Sequence, residues 1–374
     1  MDLMNKKARV IAYYLPQYHP TPQNDKFWGK GFTEWTNVTK AKPLFKGHYQ
    51  PKLPADLGFY DLRLPIVREQ QAQMAQDAGI EGFMYWHYWF GNGVMTLEDI
   101  FEDVLKSGKP DFPFCLGWAN HEWSTKTWTK GKTFQKDTVI FDMQYPGEKD
   151  WIAHFNYCLP AFKDKRYIRV DGKPLFFIWQ PATMPDVKEF IAYWRKLADK
   201  AGLPGIHFVA LRAKIKPSIE EHLKQGFDAV NCCHQNYAED KAAPLYLWKK
   251  IRGGLLRYSH GMIGGLRKYN YKKISKFLSI KDEDTLDYVY PTIVAGYDRT
   301  ARAGKNATIY NNFTPDLFKK HVEEVINNVQ SKNDEHKIIF LKSWNEWAEG
   351  NYVEPDLKYG HSFLDILRNS ILKK

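Results

Sequence analysis

Short runs of Val, Ile, Phe and Tyr recur along the chain, and the segments between them carry apolar residues at helical spacing. The runs predict eight strands: Arg9–Leu15, Ile80–Trp86, Phe112–Trp118, Pro174–Trp179, Ile206–Leu211, Phe227–Asn231, Pro291–Gly296 and Lys337–Ser343. The helical spacing predicts helices over Leu64–Gly79, Thr96–Ser107, Lys149–Phe162, Pro185–Ala201, Pro217–Gln225, Pro315–Gln330 and His361–Leu372. Strands that alternate with helices in this way are typical of a parallel sheet.

Eight strand–helix units predict an α/β fold of the (β/α)8 TIM-barrel type, and 374 residues leave room for long insertions in the βα loops. A doubly wound open sheet is the main alternative. Open sheets that bind nucleotides usually carry a Gly-rich loop after the first strand, and neither a GxGxxG nor a Walker motif follows the first strand here. We therefore favour a single catalytic barrel domain over residues 1–374, with a basic insertion at about 241–281 within it.

The composition is that of a folded globular protein, with 44% hydrophobic and 26% charged residues. Aromatic residues reach 16%, and many stand in short clusters beside polar residues. No apolar run approaches the roughly 18 residues needed to cross a bilayer, and no signal-peptide pattern opens the chain. We therefore expect a cytoplasmic protein, either free or peripheral to the inner membrane. The four cysteines form no disulfide framework in so long a chain.

The positive net charge of +11 is concentrated in one segment. Between Lys241 and Lys281 there are eleven Lys or Arg and no Asp or Glu, so the rest of the chain is formally neutral. Bulky apolar residues and glycines accompany these cations, which favours peripheral contact with an anionic membrane or a lipid-linked glycan. A solvated, solubilising segment is the alternative. We expect no nucleic-acid partner, because no nucleic-acid-binding motif accompanies the charge.

The active site of a (β/α)8 barrel lies at the C-terminal ends of its strands. The residues at and after the predicted strand ends are rich in indoles, phenols, imidazoles, amides and carboxylates. With Trp35 from the loop after the first strand, the candidate substrate-binding residues are Tyr14, Gln17, Tyr18, Trp35, Trp86, His87, Tyr88, Trp118, Asn120, His121, Glu122, Trp123, Trp179, Gln180, Arg212, His234, Tyr297, Trp344, Asn345 and Trp347. Aromatic faces suit the C–H faces of sugars, and the polar groups suit their hydroxyls, so we expect an oligosaccharide or polysaccharide substrate.

Glu346 and Glu349 are the candidate catalytic residues. Three positions apart, they face the same way if the chain turns helically after the eighth strand. If the indoles of Trp344 and Trp347 wall the pair, the repulsion between the two carboxylates raises the pKa of at least one of them. One glutamate is then a proton donor and the other a base. Glycosidic bond cleavage uses this division of roles. An ordinary loop with solvated glutamates is the alternative.

A metal centre is a further alternative at the strand ends. His87, His121, Glu122, His234 and Asp298 carry ligand-type side chains on four loops. No HxH or HExxH pair supports such a centre. We therefore expect neither a metal nor a cofactor.

Several longer motifs resemble known carbohydrate-active families. FLKSWNEWAEGNYVEP (Phe340–Pro355) resembles the signature of glycoside hydrolase family 99, the retaining endo-α-mannosidases and endo-α-mannanases. AYYLPQYHP (Ala12–Pro20), FWGKGFTEWTNV (Phe27–Val38), HYQPKLPADLGFYD (His48–Asp61) and GFMYWHYWF (Gly82–Phe90) are still more similar to WbsX-type glycosyltransferases of surface-polysaccharide clusters. The resemblance extends over essentially the whole chain.

The resemblance implies a barrel without metal or nucleotide motif and a glutamate pair after the eighth strand. It implies that Glu346 takes the proton from the sugar's 2-hydroxyl, giving a 1,2-anhydro intermediate, and that Glu349 is the general acid and then base. The expected activity is cleavage or transfer of a glycosyl unit with retention, in lipopolysaccharide or capsule biosynthesis. Two alternatives stay open. One is a nucleotide-sugar-dependent glycosyltransferase, in which Arg212, Arg299 and Arg302 contribute the cations. The other is a catalytically silent barrel that binds glycans or lipid-linked oligosaccharides.

Overall fold

The computed structural model describes residues 5–124, 138–243 and 265–373. Its central element is a sheet of eight strands: β1 (Arg9–Tyr14), β2 (Gly82–Trp89), β3 (Phe114–Trp118), β4 (Lys173–Ile178), β5 (His207–Arg212), β6 (Ala229–Cys232), β7 (Val289–Val294) and β8 (Ile338–Lys342). Each strand pairs in parallel with the next. The sheet closes because β8 also pairs in parallel with β1, with Ile11 opposite Phe340. The predicted (β/α)8 barrel is confirmed.

Helices connect the strands and cover the barrel. They are α1 (Pro22–Trp28), α2 (Glu34–Lys40), α3 (Pro65–Asp77), α4 (Glu98–Ser107), α5 (Glu148–Lys163), α6 (Val187–Lys200), α7 (Ile219–Lys224), α8 (Gln235–Ala242), α9 (Tyr271–Ile274), α10 (Lys281–Asp284), α11 (Thr300–Ala303), α12 (Pro315–Asn328) and α13 (Ser362–Ile371). Every predicted helix is present with ends shifted by a few residues. In the described part of the chain, no helix has both the length and the apolar character that crossing a bilayer requires.

Short elements occur in the loops between the barrel strands and helices. The extra strands are Met95–Thr96, Trp123–Ser124, Val139–Phe141, Arg169–Val170, Arg267–Asn270, Thr308–Asn311, Asn345–Glu346 and Asn351–Tyr352. Single 3-10 turns occupy Pro181–Thr183, Ser275–Phe277, Gly304–Asn306, Asp334–His336 and Trp347–Glu349. Part of the predicted basic insertion, residues 244–264, lies outside the described residues. The insertion's later part forms Arg267–Asn270, which pairs in parallel with Thr308–Asn311.

The aromatic excess goes largely into the core. Inside the barrel, the Tyr13 ring lies 5.1 Å from Trp86 and 5.7 Å from Phe177, centroid to centroid. Outside it, Trp194 of α6 packs on Phe176 of β4 at 4.9 Å. Edge and tilted contacts of this kind add to the burial of large apolar area. Aromatic richness by itself therefore does not mark a sugar-binding surface in this chain.

Candidate active site

A cavity of about 420 Å³ opens at the C-terminal ends of the barrel strands. Its lining residues are Tyr13, Leu15, Gln17, Trp86, Tyr88, Ala119, His121, Glu122, Trp123, Ser124, Trp179, Tyr297, Arg299, Arg302, Lys342, Ser343, Glu346 and Glu349. Two of its indoles, Trp86 and Trp179, meet edge to face at 4.9 Å. Aromatic walls interspersed with hydrogen-bonding and charged groups are the surface that a sugar ring and its hydroxyls require.

A tight turn after β8 presents both glutamates to this cavity. Asn345–Glu346 pairs antiparallel with Asn351–Tyr352, and Trp347–Glu349 forms one 3-10 turn between them. Gly350 ends the turn in the left-handed region, at φ 58°. A Cβ at Gly350 would lie 2.8 Å from the Cβ of Asp298, so this position requires glycine for both conformation and space.

Arg302 connects the two glutamates to a third one. Its Nη1 lies 2.7 Å from Oε1 of Glu349 and 3.5 Å from Oε2 of Glu346. Its Nη2 lies 3.0 Å from Oε1 of Glu34, the fully buried first residue of α2. Arg299 Nε adds a second ion pair to Oε1 of Glu349 at 3.2 Å. Both arginines of the cavity therefore form an ion pair with Glu349.

This unequal environment separates the two carboxyl groups. Burial, together with the charge of Glu349, raises the pKa of Glu346 to about 7. Burial acts in the same direction on Glu349, but Arg302, Arg299 and Lys342 outweigh it and lower the Glu349 pKa. At neutral pH Glu346 can hold a proton while Glu349 stays ionised. This distribution is opposite to the roles that the family resemblance implies, in which Glu346 is the base.

Eight of the predicted substrate-binding residues line the cavity beside the glutamate pair: Gln17, Trp86, Tyr88, His121, Glu122, Trp123, Trp179 and Tyr297. They come from the loops or ends of five different strands. Strand ends far apart in the sequence therefore converge at one place, as the barrel requires.

The other predicted residues on strands lie outside this lining because side chains alternate between the two faces of a strand. Tyr14 donates to Gln71 of α3, at 2.7 Å between oxygens. His87 lies between the lining residues Trp86 and Tyr88, and its Nε2 is 2.8 Å from Nε2 of His154 on α5. Trp118 donates its indole N–H to the carbonyl of Trp89. Tyr14 and His87 thus join the barrel to its outer helices, whereas Trp118 links two neighbouring barrel strands.

The other predicted residues outside the lining lie on loops, apart from Trp35 of α2 and Arg212 at the end of β5, and their contacts are mainly with neighbouring loops. Tyr18 donates to the Asn345 carbonyl, and Asn345 in turn binds the backbone of Leu15 through both side-chain atoms. Trp35 donates to the carbonyl of Tyr60. Asn120 is hydrogen-bonded to the Gln180 backbone, and Arg212 forms an ion pair with Glu283. His234 is buried, and its side chain lies 3.6 Å from Glu283. Trp344 is fully buried, and Trp347 donates a hydrogen bond to Glu354.

Several lining residues were not among the candidates: Tyr13, Leu15, Ala119, Ser124, Arg299, Arg302, Lys342 and Ser343. Strand alternation was the available signal for Tyr13 and Leu15, since both share a face that excludes Tyr14. Arg299 and Arg302 were predicted only as cations for a diphosphate. No pattern in the sequence pairs Arg302 with Glu34, because 268 positions separate them.

The five residues of the metal alternative are not brought together. In the described residues, the groups with ligand atoms close enough to hold an ion are His87 with His154 and Cys158, and Cys232 with His234 and Glu283. The two histidines of the first group already hydrogen-bond to each other. In the second group the carboxylate of Glu283 already accepts a hydrogen bond from Arg212, with Nη1 2.7 Å from Oε2. Neither group lines the cavity that holds Glu346 and Glu349.

Relatives of the chain are found by sequence. A family model described as "Glycosyltransferase WbsX" matches residues 10–367. The "Uncharacterized protein WxcX" of Xanthomonas campestris pv. campestris strain B100 is 30% identical over 368 residues, which cover 98% of this chain and 50% of that protein. The chain thus spans about half the length of the curated relative it matches.

Solved structures resemble the fold. A "Glycoside hydrolase-like protein" has a TM-score of 0.64 at 16% identity, covering 100% of this chain and 96% of its own. The GH99 endo-alpha-mannosidase from Bacteroides thetaiotaomicron, in complex with bis-tris-propane, has a TM-score of 0.56 at 14% identity, covering 96% and 95%. At these identities the likeness concerns the fold alone.

Proposed function

The chain belongs to the WbsX glycosyltransferase family, and on this premise we propose that it cleaves or transfers a glycosyl unit with retention, using Glu346 and Glu349. The family and the fold support a carbohydrate-active enzyme that acts on oligosaccharides or polysaccharides. The observation that carries the finer proposal is the unequal glutamate pair in an aromatic cavity. Glu346 holds a proton near neutral pH, whereas ion pairs with Arg299 and Arg302 keep Glu349 ionised.

In the first step, ionised Glu349 accepts the proton of the sugar's 2-hydroxyl while the oxygen of that hydroxyl attacks the anomeric carbon. The bond between the anomeric carbon and the departing oxygen breaks, and Glu346 gives that oxygen its proton. In the second step, water or an acceptor hydroxyl loses its proton to Glu346 and opens the 1,2-anhydro ring, and Glu349 returns its proton to the 2-oxygen. Two inversions at the anomeric carbon give net retention.

These roles reverse the ones implied by resemblance, and leaving-group chemistry tests the difference. A glycosyl fluoride needs little help from an acid, whereas the unactivated oligosaccharide of the same sugar needs a proton on its departing oxygen. We expect Glu346→Gln to lose about a thousandfold in kcat on the oligosaccharide and less than about tenfold on the fluoride. Glu349→Gln should lose turnover of both. The first oligosaccharides and fluorides to test are α-mannosyl compounds, because a structural neighbour is an endo-alpha-mannosidase.

Each other outcome has a distinct meaning. If Glu349→Gln is the variant that the fluoride rescues, the roles implied by resemblance hold instead. If both variants turn over normally, the pair is not catalytic. A parent protein that binds glycans without turnover, and binds equally after Glu349→Gln, would be a silent glycan-binding barrel.

We favour chemistry on a glycosidic bond over use of a nucleotide sugar. A nucleotide-sugar diphosphate needs cations that carboxylates do not already occupy. In the cavity that holds Glu346 and Glu349, Arg302 and Arg299 form ion pairs with Glu349, and Lys342 donates to Gln235. The matching measurement is product formation from an oligosaccharide donor with no nucleotide present. Hydrolysis and transfer are separated by adding a second glycan as acceptor and following the product anomer by NMR.

We propose surface-polysaccharide biosynthesis as the setting, on the basis of the family. A place in the cytoplasm, and contact of Lys241–Lys281 with anionic membranes or lipid-linked glycans, remain predictions. Residues 244–264 of that segment lie outside the described part of the chain.

A further inference from the structure

A second cavity, of about 270 Å³, opens beside the catalytic one. Its walls come from the loops that follow β1, β7 and β8, so it lies on the same side of the barrel. Tyr297 lines both cavities. The backbone N–H of Asp298, which lines the second cavity, donates to the carbonyl of the catalytic Glu349 at 2.6 Å. The two cavities therefore share a wall.

Two lysines approach one aromatic ring in the second cavity. The Nζ of Lys52 lies 5.3 Å from the centroid of the Tyr49 ring, and the Nζ of Lys358 lies 4.7 Å from the same centroid. Lys358 also lies over Tyr359, at 4.8 Å. These distances are within the range of cation–π contacts. The cavity thus holds two ammonium groups at an aromatic wall.

The nearest carboxylates are engaged with other donors. Asp298 accepts hydrogen bonds from His48, Gln50 and Thr300. Asp356 accepts hydrogen bonds from Tyr352 and from the backbone of Lys358 and Tyr359. Among the described residues, no carboxylate oxygen lies within 4.0 Å of the Nζ of Lys52 or Lys358. Burial lowers the pKa of Lys52, as expected for an ammonium without an anion in contact.

The basic segment of the sequence leads to this cavity. Its strand Arg267–Asn270 pairs with Thr308–Asn311, which contributes Asn311 to the cavity wall. Lys268 on that strand places its Nζ 3.5 Å from the centroid of the Phe45 ring, and Phe45 stacks on His48 of the cavity. The described end of the segment therefore adds positive potential next to the two lysines.

We propose that the second cavity binds an acidic sugar unit, one that carries a carboxylate or a phosphate. Lys52 and Lys358 would bind its oxyanion, since ammonium groups form charge-assisted hydrogen bonds with such oxygens. Tyr49 and Tyr359 offer faces to a sugar ring, and the amides of Asn311 and Asn312 can bond its hydroxyls. The site goes beyond the proposed reaction, because it binds without turnover.

The test compares tetragalacturonate with its neutral methyl ester, and glucose 1-phosphate with glucose and inorganic phosphate, by calorimetry at low salt. We expect at least one acidic sugar to bind about tenfold or more tightly than its neutral counterpart. Lys52→Gln and Lys358→Gln should each weaken that binding about tenfold, and the double variant more. Lys106→Gln with Lys165→Gln is the matched control, since both lysines are exposed and the net charge changes equally.

The control should bind like the parent, and so should Glu349→Gln, which separates this site from the catalytic proposal. The proposal is overturned if neither acidic sugar binds at about 10 mM, roughly ten times a weak dissociation constant of about 1 mM, or if the double variant and the control lose affinity equally. If inorganic phosphate binds as tightly as glucose 1-phosphate, the cavity recognises only the anion, and the proposal that it binds a sugar is overturned.

Discussion

The loop after β8 contains two kinds of glutamate a few residues apart. Glu346 and Glu349 face the cavity at the C-terminal ends of the barrel strands, whereas Glu354 lies against α3 and is 1% exposed. Burial raises the pKa of Glu346 and of Glu354 alike, to about 7 in both. A raised carboxyl pKa therefore does not identify a catalytic residue by itself. The difference lies in the partners of each carboxyl group.

The oxygens of Glu354 are fully used by the fold. Its Oε2 accepts from the Trp347 indole at 2.6 Å and from the Tyr60 hydroxyl at 2.9 Å, and its Oε1 accepts from Gln71 at 2.6 Å. The pair at the cavity instead has cations on one member and open space for a substrate. Glu354 is thus a structural residue within a motif whose other two glutamates carry the proposed chemistry.

The largest expected effect separates the two regions by activity. Glu349→Gln should lower kcat by about a thousandfold or more, because it removes the proposed base. The urea unfolding midpoint should also fall, because Arg302 and Arg299 lose an anionic partner, but this loss of stability is too small to account for the loss of activity. Steady-state kinetics and urea unfolding of the same preparation measure both quantities. Full turnover by Glu349→Gln would remove this residue from the mechanism.

The second prediction concerns the stability of the fold and the residue Glu354. Glu354→Ala should lower the free energy of unfolding by about 3–4 kcal/mol, since three buried donors lose their acceptor. Glu354→Gln, which keeps one acceptor oxygen, is the control and should cost less. Urea denaturation followed by circular dichroism measures the difference. Equal stability of Glu354→Ala and the parent would contradict the structural role.

A smaller effect concerns Arg302, which lowers the pKa of both Glu346 and Glu349 by its charge. The proposed reaction needs Glu349 ionised and Glu346 protonated, so activity falls at low pH as Glu349 is protonated and at high pH as Glu346 ionises. Arg302→Gln should move both limbs of the kcat/KM profile to higher pH, by about one unit for the acid limb. Arg302→Lys should restore most of the shift. Limbs that do not move would show that Arg302 does not set the protonation of the pair.

The smallest effect is a gain in stability. The pKa of Glu346 is raised in the folded protein from 4.5 to about 7, so the folded state binds this proton more tightly than the unfolded state. The contribution of Glu346 to stability therefore falls as pH rises from about 4.5 to 7. Glu346→Gln should be more stable than the parent at pH 8, by about 1–2 kcal/mol, and equally stable near pH 4. Unfolding at both pH values checks this, and a variant that is less stable at pH 8 would contradict it.

Local patterns were enough to predict the strands and to place Glu346 and Glu349 beyond the eighth strand. Each apolar run from Arg9–Leu15 to Lys337–Ser343 overlaps one barrel strand, because burial on both faces of a parallel strand produces such runs. The spacing of Glu346 and Glu349 placed two carboxyls on one turn. The same reasoning selected whole clusters such as Trp86, His87 and Tyr88 without applying the two-residue alternation, so His87 was included although it lies outside the cavity.

The sequence by itself determined the barrel and the two glutamates at its C-terminal end, because hydrophobic periodicity and a spacing of three are properties of neighbouring residues. Only the tertiary structure decided which glutamate holds the proton, and it decided this through Arg302 and Arg299. It also gathered Lys52, Lys268 and Lys358 around a second cavity. Electrostatic interactions depend on distances in space, and folding brings these charges together from loops far apart in the chain.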